Sequence, residues 1–222
     1  MVYLIINIIL AAIPAVILLL YFYRKDKTKR EPAGLILKTF GLGILAVIPA
    51  GAAEFGAILL FSRISGFPGL LIRAFIVAAL IEETSKFLVI KTYLYKKTEF
   101  DEVTDGIVYT AAASLGFAFF ESLLYSFGPP YVMILRGITS VPLHATASGI
   151  MGYYIGLAKQ TGDFKPGRGL LYAVIIHGLY NFLLFTGSPL VVLIVPLLFF
   201  SWLWLRRLYD DAQKRDGAYY RN

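Results

Sequence analysis

Seven runs of apolar residues, set apart by short polar or basic stretches, dominate the chain: about 2–23, 35–61, 70–95, 106–127, 131–158, 168–186 and 189–208. An α-helix rises about 1.5 Å per residue and needs about 20 residues to cross roughly 30 Å of hydrocarbon, so each run is long enough to span a bilayer. The pattern predicts an all-α, polytopic integral membrane bundle of about seven transmembrane helices. It occupies residues 1–222 as a single domain, with no internal repeat, low-complexity tract or soluble module.

Composition agrees with the pattern. Of 222 residues, 58% are hydrophobic and only 16% are charged, and the mean hydropathy is +0.71. That is too apolar for a soluble domain to cover with a polar surface. The chain has no cysteine, which excludes disulfides, a thiol nucleophile and thiolate metal sites. Its net charge of +7 sits in clusters at 24–30, 96–97, 159–168 and in the tail from 206. These alternate with poorer loops at 62–69, 128–130 and 187–189. Orientation in a bilayer explains that alternation better than nucleic-acid binding, and it predicts a cell-membrane protein with its N-terminus outside and its C-terminus cytoplasmic. The first run is followed, not preceded, by basic residues ("RKDKTKR"), so it is expected to stay as an uncleaved span.

Small residues punctuate the spans. Gly41 and Gly43, the segment "AGAAEFGA" (50–57), and Gly149, Gly152 and Gly156, the last two forming GxxxG, suit close helix packing. Pro49 and Pro142 lie inside spans, where each should free a carbonyl and bend its helix.

The apolar runs also hold Glu54, Glu82, Glu83, Lys86, Glu121, Arg136 and both histidines, His144 and His177. A charge at the centre of a membrane helix costs about 2.5–3.5 kcal/mol, so these groups must be paired, neutralised or functional. Counted from the outer ends of their spans at ~1.5 Å per residue, Glu82, Glu83, Glu121, His144 and His177 lie at depths of about 9 to 20 Å. Glu82–Lys86, Phe117–Glu121, His144–Ser148 and His177–Asn181 are i,i+4 pairs, each sharing one helix face. Taken singly, each group has a structural reading: a buried Glu82–Lys86 ion pair, a neutral Glu121, satisfied core histidines, and structural or positioning roles for Glu54 and Arg136. Acid and base groups at similar depth on four helices point instead to a site.

Water is the natural nucleophile for such a set. Ser85 and Ser148 lack a G-x-S-x-G setting, H-E-x-x-H is absent, and Asp101, Asp105 and Asp163 lie at or beyond span ends, which excludes an intramembrane aspartyl dyad. A carboxylate can take a proton from water, while imidazole, amide or hydroxyl groups hold an oxyanion. Glu83, Glu121, His144 and His177 are also candidate ligands for a zinc-like divalent metal, although no fixed ligand spacing identifies one. Two other classes use related chemistry. A proton- or ion-coupled transporter keeps acids and histidines at mid-depth, but more often with inverted repeats or broken helices, which are not evident here; a catalytically silent immunity or scaffold protein needs no turnover.

The ordered motifs "EETSK" (82–86), "FDEVTDGIVYTAAASLGFAFFESLLY" (100–125), "PLHATASGIMGYYIG" (142–156) and "HGLYNFLL" (177–184), with "YFYRKDKTKREP" (21–32), resemble the PrsW family of bacterial intramembrane proteases. That family is itself similar to the CAAX-prenyl protease and bacteriocin-processing (Abi) superfamily. The resemblance covers most of the chain and implies a CAAX-protease-like core cleaving a membrane-anchored, single-span protein. It further implies site-1 cleavage of an anti-sigma factor near the extracytoplasmic side, in regulated proteolysis under envelope stress. The family's motif residues carry over onto Glu82, Glu83, Glu121, His144 and His177. In the prenyl-protease relatives a Glu and a His activate water, and a second His with an Asn four residues on stabilises the oxyanion. Here Glu121 stands where those relatives show His, and Ser148 where they show Asn. The expected division of labour is Glu82 or Glu83 as base, Glu121 and His177 sharing the proton, and His144 with Ser148 or Asn181 at the oxyanion. Lys86 and Arg136 would keep a carboxylate ionised.

Overall fold

The computed structural model describes residues 2–26, 29–162 and 167–219; Asp163 and parts of the basic stretches at 24–30, 159–168 and beyond 219 lie outside them. Among the described residues there is no strand. The helices are α1 (Val2–Lys25), α2 (Ala33–Leu60), α3 (Gly66–Leu71), α4 (Ile81–Val89), α5 (Val103–Leu124), α6 (Pro130–Ile138), α7 (Ser140–Thr161), α8 (Gly167–Phe185) and α9 (Ile194–Tyr219). π-Helical winding over Ile72–Leu80 joins α3 to α4 and recurs at Ile90–Leu94, so residues 66–94 form one continuous rod. Five helical stretches are long and apolar enough to cross a membrane: α1, α2, α5, α8, and α9 with the turn Pro189–Leu193 before it. The molecule is an all-α, multi-pass membrane bundle.

The run at 131–158 differs from a single span. It is two helices divided at Thr139, whose φ −122° and ψ −64° leave the helical region. The cause is local: Pro142 has no N–H for the carbonyl of Ile138, so the ladder fails one turn before the proline. The short α6 therefore ends beside the interior and delivers Arg136 there in its last turn.

Helices α5 and α7 form the centre. Every residue of α5 from Val103 to Ala118 is buried. Their seam is made of missing side chains: a Cβ on Gly152 would collide with the carbonyl of Gly106, and one on Gly156 with the backbone of Val103. Gly43 and Gly116 bring α2 onto α5 in the same way. Between helices bathed in lipid, such backbone approach supplies the packing that a hydrophobic drive supplies in water. Asp216 of α9 caps α5, accepting from the amides of Val103 (2.8 Å) and Thr104 (3.0 Å) and from the Thr104 hydroxyl (2.6 Å). The outer helices α1, α2 and α9 leave apolar side chains such as Ile17, Leu60 and Phe200 exposed, as lipid contact requires.

Candidate active site

Glu82 and Glu83 sit in the first turn of α4, directly after the π-helical stretch. Burial of both carboxylates and Lys86 among α5, α7 and α8 brings four helices' polar groups to one place. Glu83 is fully buried and is the hub. Its Oε1 accepts from the Lys86 ammonium (2.7 Å) and lies 2.9 Å from Nδ1 of His177, while its Oε2 accepts from the Ser148 hydroxyl (2.7 Å). The His177 tautomer that satisfies this contact carries its proton on Nδ1 and leaves Nε2 as an acceptor.

His144 is held at both nitrogens. Its Nε2 lies 3.0 Å from Oε2 of Glu121, and its Nδ1 lies 2.7 Å from the Lys86 ammonium. A neutral ring that donates from Nε2 and accepts at Nδ1 satisfies both. The two imidazoles stand edge to face, with centroids 4.8 Å apart. Glu121 also forms an ion pair with Arg136 at 2.9 Å, and the Arg136 guanidinium lies over the Tyr125 ring. Three carboxylates thus share two permanent cations, leaving a surplus negative charge that a proton or a bound cation would neutralise.

Glu82 stands apart from the hub. Its Oε2 is 3.4 Å from the Lys86 ammonium, 3.9 Å from Nδ1 of His144 and 4.0 Å from Nε2 of His177. Unlike Glu83 it lines a cavity of about 370 Å³, together with Glu121, Arg136, His144, His177 and Asn181. The carboxamide of Asn181 makes no hydrogen bond to a described residue, so its donors are open to that space. The cavity wall also takes in Ile58, Arg73, Leu124 and Phe185. These residues lie near the ends of α2, α5 and α8 and the start of the 66–94 rod, so the cavity belongs to that end of the bundle.

The residues singled out in the sequence therefore come together, in two tiers. Glu82, Glu121, Arg136, His144, His177 and Asn181 face the cavity; Glu83, Lys86 and Ser148 lie behind them, and Glu54 joins the wall from α2. Ser114 was not singled out. Its hydroxyl donates to the carbonyl of His144 (2.8 Å) and lies 2.9 Å from that of Ser148, tying the histidine's own backbone to α5. Its seven-residue spacing from Glu121, two helical turns on one face, is the signal that points to it.

The donor set suits a divalent metal. One ligand atom each from Glu82, His144 and His177 lies within 4.8 Å of the others. One carboxylate with two imidazoles is a ligand set that zinc adopts in hydrolases, leaving a position open, and the Glu83 carboxylate behind His177 is the kind of outer support that fixes a ligating ring. Glu83 and Glu121 themselves stand in that outer position. Occupancy would require the Lys86 ammonium to turn from His144 wholly to Glu83.

The model of the PrsW family of intramembrane metalloproteases matches residues 31–205. Among curated relatives, Protease PrsW of Oceanobacillus iheyensis is 38% identical over 201 residues, covering 88% of this chain and 90% of its own. Protease PrsW of Geobacillus kaustophilus is 40% identical over 177 residues (77% and 76%), and that of Bacillus subtilis is 33% identical over 194 residues (85% and 87%). No solved structure matches the chain.

Proposed function

The chain belongs to the PrsW family of intramembrane proteases, and from that premise we propose that it hydrolyses a peptide bond of a membrane-anchored protein at the Glu82–His144–His177 cluster. The observation that carries this reading is the position of Glu82 Oε2, which faces both imidazoles and an open cavity at once. In this scheme Glu82 takes the proton from an attacking water, and His177, its Nδ1 proton held on Glu83, keeps Nε2 free to receive it in turn. Asn181 donates to the oxyanion that forms on the scissile carbonyl. Arg136 and Glu121 orient His144 through its Nε2. With a zinc-like ion bound instead, Glu82, His144 and His177 would hold it, and its polarisation of the water and the carbonyl would replace the proton-taking roles of Glu82 and His177.

The substrate is a single-span protein, and the reading extends to site-1 cleavage of an anti-sigma factor on the extracytoplasmic side. The basic loops support that orientation, because the cavity lies at the end carrying the loops poor in Lys and Arg. A cysteine introduced at Ser188, in a chain that has none of its own, is expected to react with an impermeant maleimide from outside intact cells. Protection there, with labelling only after lysis, would reverse the topology.

The functional test is cleavage of a tagged single-span substrate by purified protein. Asn181→Ala should lower turnover by about a hundred- to a thousandfold, the usual effect of removing one oxyanion donor. Full activity in that variant would take Asn181 out of the site. A chelator that stops cleavage, with zinc restoring it, would place the ion in the reaction; indifference to both would leave the proton chemistry to Glu82 and the histidines alone.

A further inference from the structure

A second group of acids lies at the other end of the bundle. Asp26 follows α1, Glu31 precedes α2, and Glu102 and Asp105 open α5; all are at most 3% exposed. Asp105 and Glu121 are 16 residues apart on one helix, about 24 Å at 1.5 Å per residue, so this group is separate from the cavity. One carboxylate oxygen each from Asp26, Glu31 and Asp105 lies within 4.8 Å of the other two. Like charges this close and out of water require a proton or a cation between them.

The neighbouring cations have contacts of their own. Lys29 pairs with Asp101 at 2.5 Å, Lys159 donates to the carbonyls of Tyr95 and Lys97, and the Lys25 ammonium sits over the ring of Tyr209 at 4.1 Å. Among the described residues no lysine or arginine forms an ion pair with Glu31 or Asp105. The backbone uses only half of Asp105: its Oδ2 accepts from the amides of Asp101 (2.9 Å) and Glu102 (2.7 Å), while its buried Oδ1 accepts from no described donor and its carboxyl lies within hydrogen-bonding reach of that of Glu31.

An independent observation comes from α9. The phenol of Tyr209 is 1% exposed and has no hydrogen-bond partner among the described residues, and the acids whose charges bear on it are Asp26, Asp105 and Glu102. A phenol is rarely buried without a partner, and this one lies within electrostatic reach of the acid group. Tyr109 of α5 donates to Glu31.

We propose that Asp26, Glu31 and Asp105, with Glu102 and the Tyr209 phenol around them, form an all-oxygen site for a hard divalent cation of calcium size. Oxygen-only donors select calcium or magnesium over zinc. Oxygens ligating one calcium ion stand at most about 4.6–5.2 Å apart, so a mutual spacing within 4.8 Å is compatible with it, and a site built of protein carboxylates suits calcium better than magnesium, which keeps several of its waters. The ion ties the α1–α2 connection to the start of α5, whose acids would otherwise repel, with the Tyr209 phenol of α9 beside them.

The test uses the full chain in detergent, stripped with a chelator. Added calcium should raise the Tm by about 5 °C once well above its Kd. Terbium, a calcium stand-in, should luminesce on tyrosine excitation because Tyr109 and Tyr209 flank the site. Asp26→Asn and Glu31→Gln should each weaken terbium binding about tenfold or more and abolish the calcium shift. His144→Ala, which dismantles the cavity cluster, should leave both signals unchanged. Absence of a calcium shift and of terbium emission in the unaltered protein would overturn the proposal without recourse to any variant. So would a calcium shift that persists in both acid variants. If Glu31→Gln instead raises the Tm in chelator alone and calcium adds nothing to the unaltered chain, the acids share a proton and no ion.

Discussion

Glu82→Gln is expected to lower cleavage of a single-span substrate by about a hundred- to ten-thousandfold, the range for loss of a proton-transferring group, while the protein accumulates and melts as before. Glu83→Gln should behave differently although the two residues are adjacent. Glu82 touches the Lys86 ammonium only at 3.4 Å and borders open space, so its charge can be removed without stranding a partner. Glu83 is fully buried and holds Lys86, His177 and Ser148 together. Neutralising it leaves the ammonium short of its principal counter-ion in the interior, a loss of about 3–5 kcal/mol when a buried pair is broken from one side. Cleavage and thermal stability should therefore fall together in Glu83→Gln and separate in Glu82→Gln. The two variants, compared by substrate cleavage and by thermal unfolding in one detergent, test the two-tier arrangement directly. A Glu82→Gln protein that cuts at the normal rate, or a Glu83→Gln protein as stable as its parent, would break it.

The second large effect is steric. Gly152→Val should prevent the folded bundle from accumulating, because the added side chain would meet the carbonyl of Gly106 and the Thr110 side chain across the α5–α7 seam. Overpacking of this kind costs about 3 kcal/mol or more when backbone must move. Gly41→Ala is the control. A Cβ there meets nothing within 4 Å, so the variant should express, melt and cleave normally. Size-exclusion profiles and expression levels in membranes separate the two outcomes; a well-folded Gly152→Val protein would mean that the seam is looser than its geometry requires.

The bundle was readable from run lengths and the GxxxG at Gly152 and Gly156 because membrane helices must satisfy their own backbone and pack through small residues. The acids and histidines were readable for a related reason: charge in an apolar run is costly and so stands out. What spacing alone could not supply was their ranking. Glu82 and Glu83 differ by about 100° around their helix, and which one meets the hub depends on how α4 lies against α7 and α8. The i,i+4 spacing put Ser148 on the face of His144, yet its hydroxyl is turned to Glu83, a partner 65 residues away. The division at Thr139 was foreshadowed by Pro142, but a proline marks only where a ladder loses a bond, and the neighbouring packing decides whether the helix bends or ends.

The π-helical stretch Ile72–Leu80 immediately before the two carboxylates carries a consequence of its own. Its wide i→i+5 winding accommodates residues that an α-helix would place further round the rod. Were the segment to tighten into an α-helix with all its residues kept, everything downstream would swing by about 100° for each residue the wide winding takes up, turning Glu82 off the imidazoles without altering a single side chain of the site. The bearing of Glu82 is thus written in the winding upstream, and a change that restored α-helical geometry there without shortening the segment would be felt like a substitution at Glu82 itself.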